Sequence, residues 1–164
     1  MKRIGIDVGR VIIAGDTDKE DNLFFSPKFL QATQVKNAFK CIKKIVEKVH
    51  AENVFLVSKC GRQTEQRTLK WLEYNEFYRE TGIKNENIHF CRERKEKKEI
   101  CSLFGISVFI DDRFSVLEHL EELDSLYLFN PIEEEKINYN LQADKQKITI
   151  VYSWKEVVTS LLKL

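Results

Sequence analysis

Six apolar runs, each about the length of a β-strand, recur along the chain with helical patterns between them: KRIGID (2–7), NVFLVS (53–58), NIHFC (87–91), SVFIDD (107–112), LYLFN (126–130) and ITIVY (148–152). Strands that alternate with helices pair in parallel through crossover connections. The expected fold class is therefore α/β: a single Rossmann-like open sheet, mainly parallel, with helices on both faces. The length of 164 residues suits one domain over 1–164, large enough to bury about two thirds of its unfolded surface.

The connecting segments carry helical spacing. Over 36–50, Phe39, Ile42, Val46 and Val49 fall on one face, with Lys40, Lys43, Lys44 and Lys48 mostly elsewhere, a solvated face. A second helix is predicted over 62–80, stopping at Thr81-Gly82, where glycine suits a left-handed cap. Its Trp71, Tyr74 and Tyr78 share one side and read as packing. Shorter helices are predicted near 94–104, 113–123 and 153–163.

Composition removes several function classes. Lys+Arg 27 against Asp+Glu 26 gives a net charge of +1, so no overall field draws the chain to nucleic acid or to a membrane surface. The first residues lack a secretory pattern, and no apolar run approaches the roughly 20 residues that span a bilayer. The expectation is a cytoplasmic protein. Cys41, Cys60, Cys91 and Cys101 form no CxxC pair and have no zinc-ligand spacing with His50, His89 or His119. They read as reduced, mostly buried thiols.

In open parallel sheets, ligands bind beyond the carboxyl ends of the strands. The first run ends at Asp7, the second at Ser58 followed by Lys59-Cys60-Gly61, and the fourth at Asp111-Asp112-Arg113. Carboxylates from two strands can hold one Mg²⁺ that keeps positions open for phosphate oxygens. An aspartate beside such an ion can attack phosphorus and form an acyl phosphate that water then hydrolyses. Ser58 and amides of the following turn would hold a nonbridging oxygen, and a lysine from 92–98 would neutralise developing charge. Lys97 lies three before Ile100 and seven before Phe104, on the face of those core candidates; Lys98 is the next choice.

Taken in order, IGIDVGRVI, VFLVSKCG, RERKEKKEI and VFIDDR resemble the four motifs of the haloacid dehalogenase-like superfamily of phosphohydrolases, over about residues 2–125. The resemblance implies a Mg²⁺ cofactor, with Asp7 as nucleophile and metal ligand, the Gly9 carbonyl as second ligand, and Asp111 or Asp112 as third. It implies catalytic roles for Asp7, Ser58 and Lys97, and phosphate contacts from Ser58, Lys59, Lys97 and Lys98. Of Asp111 and Asp112, one faces the metal and the other can cap the helix predicted to follow. Arg113 reaches either a substrate oxyanion or a neighbouring carboxylate.

One position departs from the pattern. Where most of the superfamily's phosphatases carry a second aspartate, two residues after the nucleophile, this chain has Gly9. General acid–base help is worth about 10²–10⁴-fold. Three explanations follow: a better leaving group, a replacement acid from Asp16-Thr17-Asp18, or binding retained without catalysis. The literal DxD of Asp16 and Asp18 is also a rival frame for the nucleophile, though Val11, Ile12 and Ile13 supply the expected apolar flap after Asp7. The short connections leave no room for a separate cap domain, so the substrate is expected to be a phosphorylated small molecule or a macromolecular phosphoester. Leu23, Phe24, Phe25 and Phe29 could serve as a loop lid, a homodimer contact or local core.

Overall fold

In the computed structural model, which describes residues 1–15, 23–142 and 147–163, all six runs form strands: β1 (Ile4–Ile6), β2 (Val54–Lys59), β3 (Ile88–Cys91), β4 (Val108–Asp111), β5 (Ser125–Phe129) and β6 (Ile148–Val151). They form one sheet in the order β3-β2-β1-β4-β5-β6. Every pairing is parallel, with Ile4 set against Val54 on one side and Val108 on the other. The protein has the Rossmann-like α/β fold expected from the alternation.

The period of two along each strand sorts side chains onto the two faces. Ile4, Ile6, Val54, Leu56, Val108 and Ile110 share a core with Ile42 and Ile45 of α1 (Ala38–Val49), Trp71 of α2 (Arg62–Tyr74), Phe77 of α3 (Phe77–Thr81) and Trp154 and Val157 of α7 (Trp154–Leu162). Phe55, Val57, Phe109, Leu126 and Leu128 face the other way. They pack on Cys101 of α4 (Glu96–Phe104) and on Phe114 and Leu117 of α5 (Phe114–Leu117); α6 (Glu133–Asn140) adds Tyr139 at the margin. Between them, β1 needs a glycine. A Cβ on Gly5 would lie 2.6 Å from the Phe109 ring.

Three predictions of detail change, and one helix was not predicted. The helix expected over 62–80 is broken: α2 ends at Tyr74, Glu76 takes a left-handed φ of 57°, and α3 runs on to the expected glycine cap at Gly82. Nor do the three aromatics share one buried face. Trp71 is buried, with its indole N–H donating to the Ala32 carbonyl at 2.9 Å, whereas Tyr74 is 65% exposed. The helix expected over 113–123 is only the short α5, followed by turns. Finally, α6 has no counterpart in the sequence reading, because its buried side chain is Glu135 and no apolar stripe marks it.

Phe24 is buried in the main core, while Phe25 is 61% and Leu23 40% exposed. Cys41, Cys91 and Cys101 are buried and Cys60 half-buried, all free thiols. Among the described residues, no helix is long and apolar enough to cross a membrane.

Candidate functional site

The chain leaves β1 for β2 and β3 on one side, then returns to β4 on the other, so its direction of winding reverses between β1 and β4. Their carboxyl ends splay the crossovers apart and leave a crevice. The Asp7 amide donates to the Ile110 carbonyl at 2.9 Å, carrying the β1–β4 ladder one residue further and fixing Asp7 at that point. The chain then folds back. The Val8 carbonyl accepts from the Ile12 and Ile13 amides at 2.8 and 3.1 Å, and Arg10, with a left-handed φ of 65°, donates to Ile13. Buried Val11, Ile12 and Ile13 anchor this turn, and the Trp154 indole N–H donates to the Val11 carbonyl at 2.7 Å.

Charge concentrates beneath this turn. Asp7, Asp111 and Asp112 are all buried, and their carboxylate oxygens lie within 4.8 Å of one another. Lys97, 2% exposed, comes from the first turn of α4. Its Nζ donates to Asp7 Oδ1 at 3.0 Å and to Asp111 Oδ2 at 2.8 Å. The other Asp111 oxygen, Oδ1, accepts from the Arg113 amide at 3.0 Å. Neither aspartate caps α5: Arg113 occupies that position. Because β4 ends at Asp111, the strict alternation of an extended chain ends there, and Asp111 and Asp112 reach the same cluster.

The electrostatics follow from burial. Burial first, then Asp7 and Asp111, push the Asp112 carboxyl up to about 9, with Arg113 pulling the other way. Asp112 shares a hydrogen bond with Asp7, which between two carboxyl groups requires a proton. Burial and Asp7 raise Asp111 to about 6 against the pull of Lys97. Burial works against the charge on Lys97, but Asp111 and Asp7 outweigh it and hold the ammonium above the ordinary lysine range. Two of the three buried carboxyl groups, Asp7 and Asp111, thus share one ammonium, and Asp112 lies beside them. Hard oxygens in excess of local positive charge are the donor set that suits Mg²⁺, so the residues present fit that ion.

Opposite this cluster, Ser58 is 6% exposed near the end of β2 and Lys59 is exposed. The Cys60 amide donates to the Cys91 carbonyl at 2.9 Å, so it is committed to the sheet; the turn then passes through Gly61 into α2. Asp7, Gly9, Ser58, Lys59, Lys97, Asp111 and Asp112 all line one cleft of about 360 Å³. Lys98 does not. Its Nζ lies 3.4 Å from Glu122 Oε2, with both side chains more than half exposed, because one helical residue turns it about 100° from Lys97. Asp16-Thr17-Asp18 lies outside the described residues.

The same cleft contains Arg10, Arg94 and Arg113, of which the sequence reading singled out only Arg113. Arg94 sits inside the charged run RERKEKKE, where a solvated face is the simplest reading. Its one usable signal was its spacing of three before Lys97. A Cβ added to Gly9 would meet nothing within 4 Å, so the position lacking the second aspartate opens onto free space.

No protein-family model and no curated protein matches the chain. Among solved structures, it is similar to the crystal structure of D,D-heptose 1,7-bisphosphate phosphatase from Burkholderia thailandensis, with a TM-score of 0.65 and 11% identity over 100% of both chains. At that identity the likeness shows a shared fold, the Rossmann-like open sheet.

Proposed function

We propose that this protein is a Mg²⁺-dependent phosphohydrolase that works through an aspartyl-phosphate on Asp7. The observation that carries the reading is the buried cluster at the β1–β4 crevice, where Lys97 bridges Asp7 and Asp111 while Asp112 completes a set of hard oxygen donors. The structural neighbour is a phosphatase by name, which points the same way.

In this reading Lys97 holds Asp7 Oδ1 and fixes the carboxylate plane. The Asp7 carboxylate attacks phosphorus, an Asp7 oxygen–phosphorus bond forms, and the bond from phosphorus to the leaving oxygen breaks. Ser58 and the amides where the Gly61 turn enters α2 hold the nonbridging oxygens, as preorganised donors stabilise developing charge. Water then attacks the acyl phosphate, releasing inorganic phosphate and restoring Asp7. Asp7, Asp112 and the Gly9 carbonyl would hold Mg²⁺, with Asp111 oriented by Lys97 and the Arg113 amide. When bound, the ion supplies Lewis-acid neutralisation of phosphate charge. Free cysteines throughout fit the reducing cytoplasm.

Gly9 cannot protonate a leaving group, so the favoured substrates are those whose leaving group departs as a stable anion, such as acyl or aryl phosphates. The same residue favours a second reading, a relative that binds Mg²⁺ and a phosphorylated ligand without turning it over. Hydrolysis of p-nitrophenyl phosphate, with and without Mg²⁺, on wild type and Asp7→Asn separates them. Mg²⁺-dependent turnover that falls at least about 10³-fold in the variant supports the enzyme. Wild-type turnover no higher than the variant's leaves the binding reading.

A further inference from the structure

Beyond the carboxylate cluster, the cleft is lined by four more cations, Arg10, Lys59, Arg94 and Arg113. A single phosphate held near Ser58 and Lys97 cannot compensate all of them.

Among these, Arg94 is held by a chain of hydrogen bonds that leads to a buried charge. Its Nη1 donates to Ser115 Oγ at 2.7 Å. A guanidinium only donates, so the single Ser115 hydroxyl proton is left for Glu135 Oε1, 3.4 Å away. The Ser115 amide donates to Glu135 Oε2 at 3.3 Å. Glu135 is 6% exposed and is the buried side chain of α6. Tyr139 packs α6 on Phe114 at the margin of the core, but that contact does not call for a buried carboxylate in the first turn of the helix. A buried carboxylate needs a cation or donors, and here the cation stands one hydroxyl away, at the cleft wall. This relay fixes the guanidinium through one N–H and leaves its other donors for the cleft.

We propose that Arg94, positioned by Ser115 and Glu135, is a second anion-binding point, and that the substrate is a small phosphoester carrying a further anionic group, a carboxylate or a second phosphate, on the α4–α5 side of the cleft. The proposal rests on the phosphohydrolase reading above. A volume of about 360 Å³ is in the range of small-molecule pockets and exceeds the need of a lone phosphate. Arg113, exposed on the same wall, widens the positive surface without being fixed in this way.

The test is calorimetric binding to the full chain with Mg²⁺, using nonhydrolysable probes. Alkylphosphonates of two to four carbons are compared with phosphonocarboxylates and bisphosphonates of the same lengths. At the matching length, a dianionic probe should bind at least about tenfold tighter than its alkyl counterpart, the worth of a hydrogen-bonded charge. That ratio should fall to near one in Arg94→Ala and Ser115→Ala and survive in Ser115→Thr. Whichever probe series wins identifies the second group. A ratio near one in wild type, or one that persists in Arg94→Ala, overturns the second anion point and leaves the phosphohydrolase reading standing. If Ser115→Ala lowers only the melting temperature and keeps the ratio, the relay is a structural tie and its positioning role is overturned. Failure of every phosphonate to bind overturns the phosphohydrolase reading, and this inference with it.

Discussion

At the floor of the cleft, the buried carboxylates Asp7 and Asp111 share one buried ammonium with Asp112 beside them; on the wall between α4 and α5, an arginine that still reaches the opening is backed by one buried carboxylate, Glu135 of α6. Both regions hold charge away from water, and both would be costly if uncompensated. They differ in what remains after internal pairing. The floor is left with excess negative charge that a proton on Asp112 or a divalent cation can balance. The wall joins Arg94 to Glu135 through Ser115 and carries exposed Arg113 beside them, so positive charge faces the opening where an anionic group can meet it. A cleft with these two unlike walls is suited to a metal-bound phosphate at one end and a second anionic group at the other.

The largest effect should come from removing the cation on which the floor depends. Lys97→Met leaves Asp7 and Asp111 without their bridging ammonium, and breaking a buried pair from one side costs about 3–5 kcal/mol. Denaturant unfolding of the metal-free chain measures this loss. Lys98→Met, one residue along and paired only at the surface, should stay within about 0.5 kcal/mol. If the two variants are equally stable, the floor does not rest on Lys97.

The next effect concerns chemistry. Gly9 opens onto free space, so the Cβ of Gly9→Asp meets no neighbour and the variant adds a carboxyl group at this position. If the missing acid is what limits leaving-group departure, alkyl phosphate hydrolysis should rise by about 10²-fold, with p-nitrophenyl phosphate changing little because its phenolate needs no proton. A folded Gly9→Asp protein that binds Mg²⁺ and shows no gain on alkyl phosphates would place the limitation elsewhere. It would also leave the floor as a binding site.

The contrast between floor and wall also explains what could be read from the chain. The strands appear within two residues of their predicted limits, because a strand covered on both faces must be apolar along its whole length. The floor was legible for the same reason: Asp7, Ser58 and Asp111 stand where apolar runs stop. Lys97 was legible because it shares a helical face with core residues. The wall was not, because Glu135 lies on a helix with no apolar stripe and Arg94 in a run of mixed charges, so neither carries a periodic signature. The break at Glu76 was hidden too, since its left-handed turn uses glutamate where glycine would have announced it.

The smallest predicted effect tests the electrostatics of the floor directly. In the folded chain Asp112 keeps its proton up to about 9 and Asp111 to about 6, both above the ordinary 3.8. Between pH 4 and 9 the folded state therefore binds more protons than the unfolded one, and stability falls as pH rises through that window. Lys97 acts elsewhere: its raised value contributes stability below the ordinary lysine range that is lost only above it. Asp112→Asn keeps a donor for Asp7 but does not titrate, so its melting temperature should vary less with pH. At pH 8 it should exceed metal-free wild type by a few degrees, about 2–4 °C per kcal/mol for a chain of this size. Added Mg²⁺ should raise wild type at pH 8 more than the variant, because the ion binds the deprotonated carboxylates and stabilises the state that holds it. Subtracting the two pH profiles removes groups common to both, histidines included. If the profiles are parallel, with equal responses to Mg²⁺, Asp112 is not what sets the charge of the floor, and the difference between floor and wall reduces to Lys97 alone.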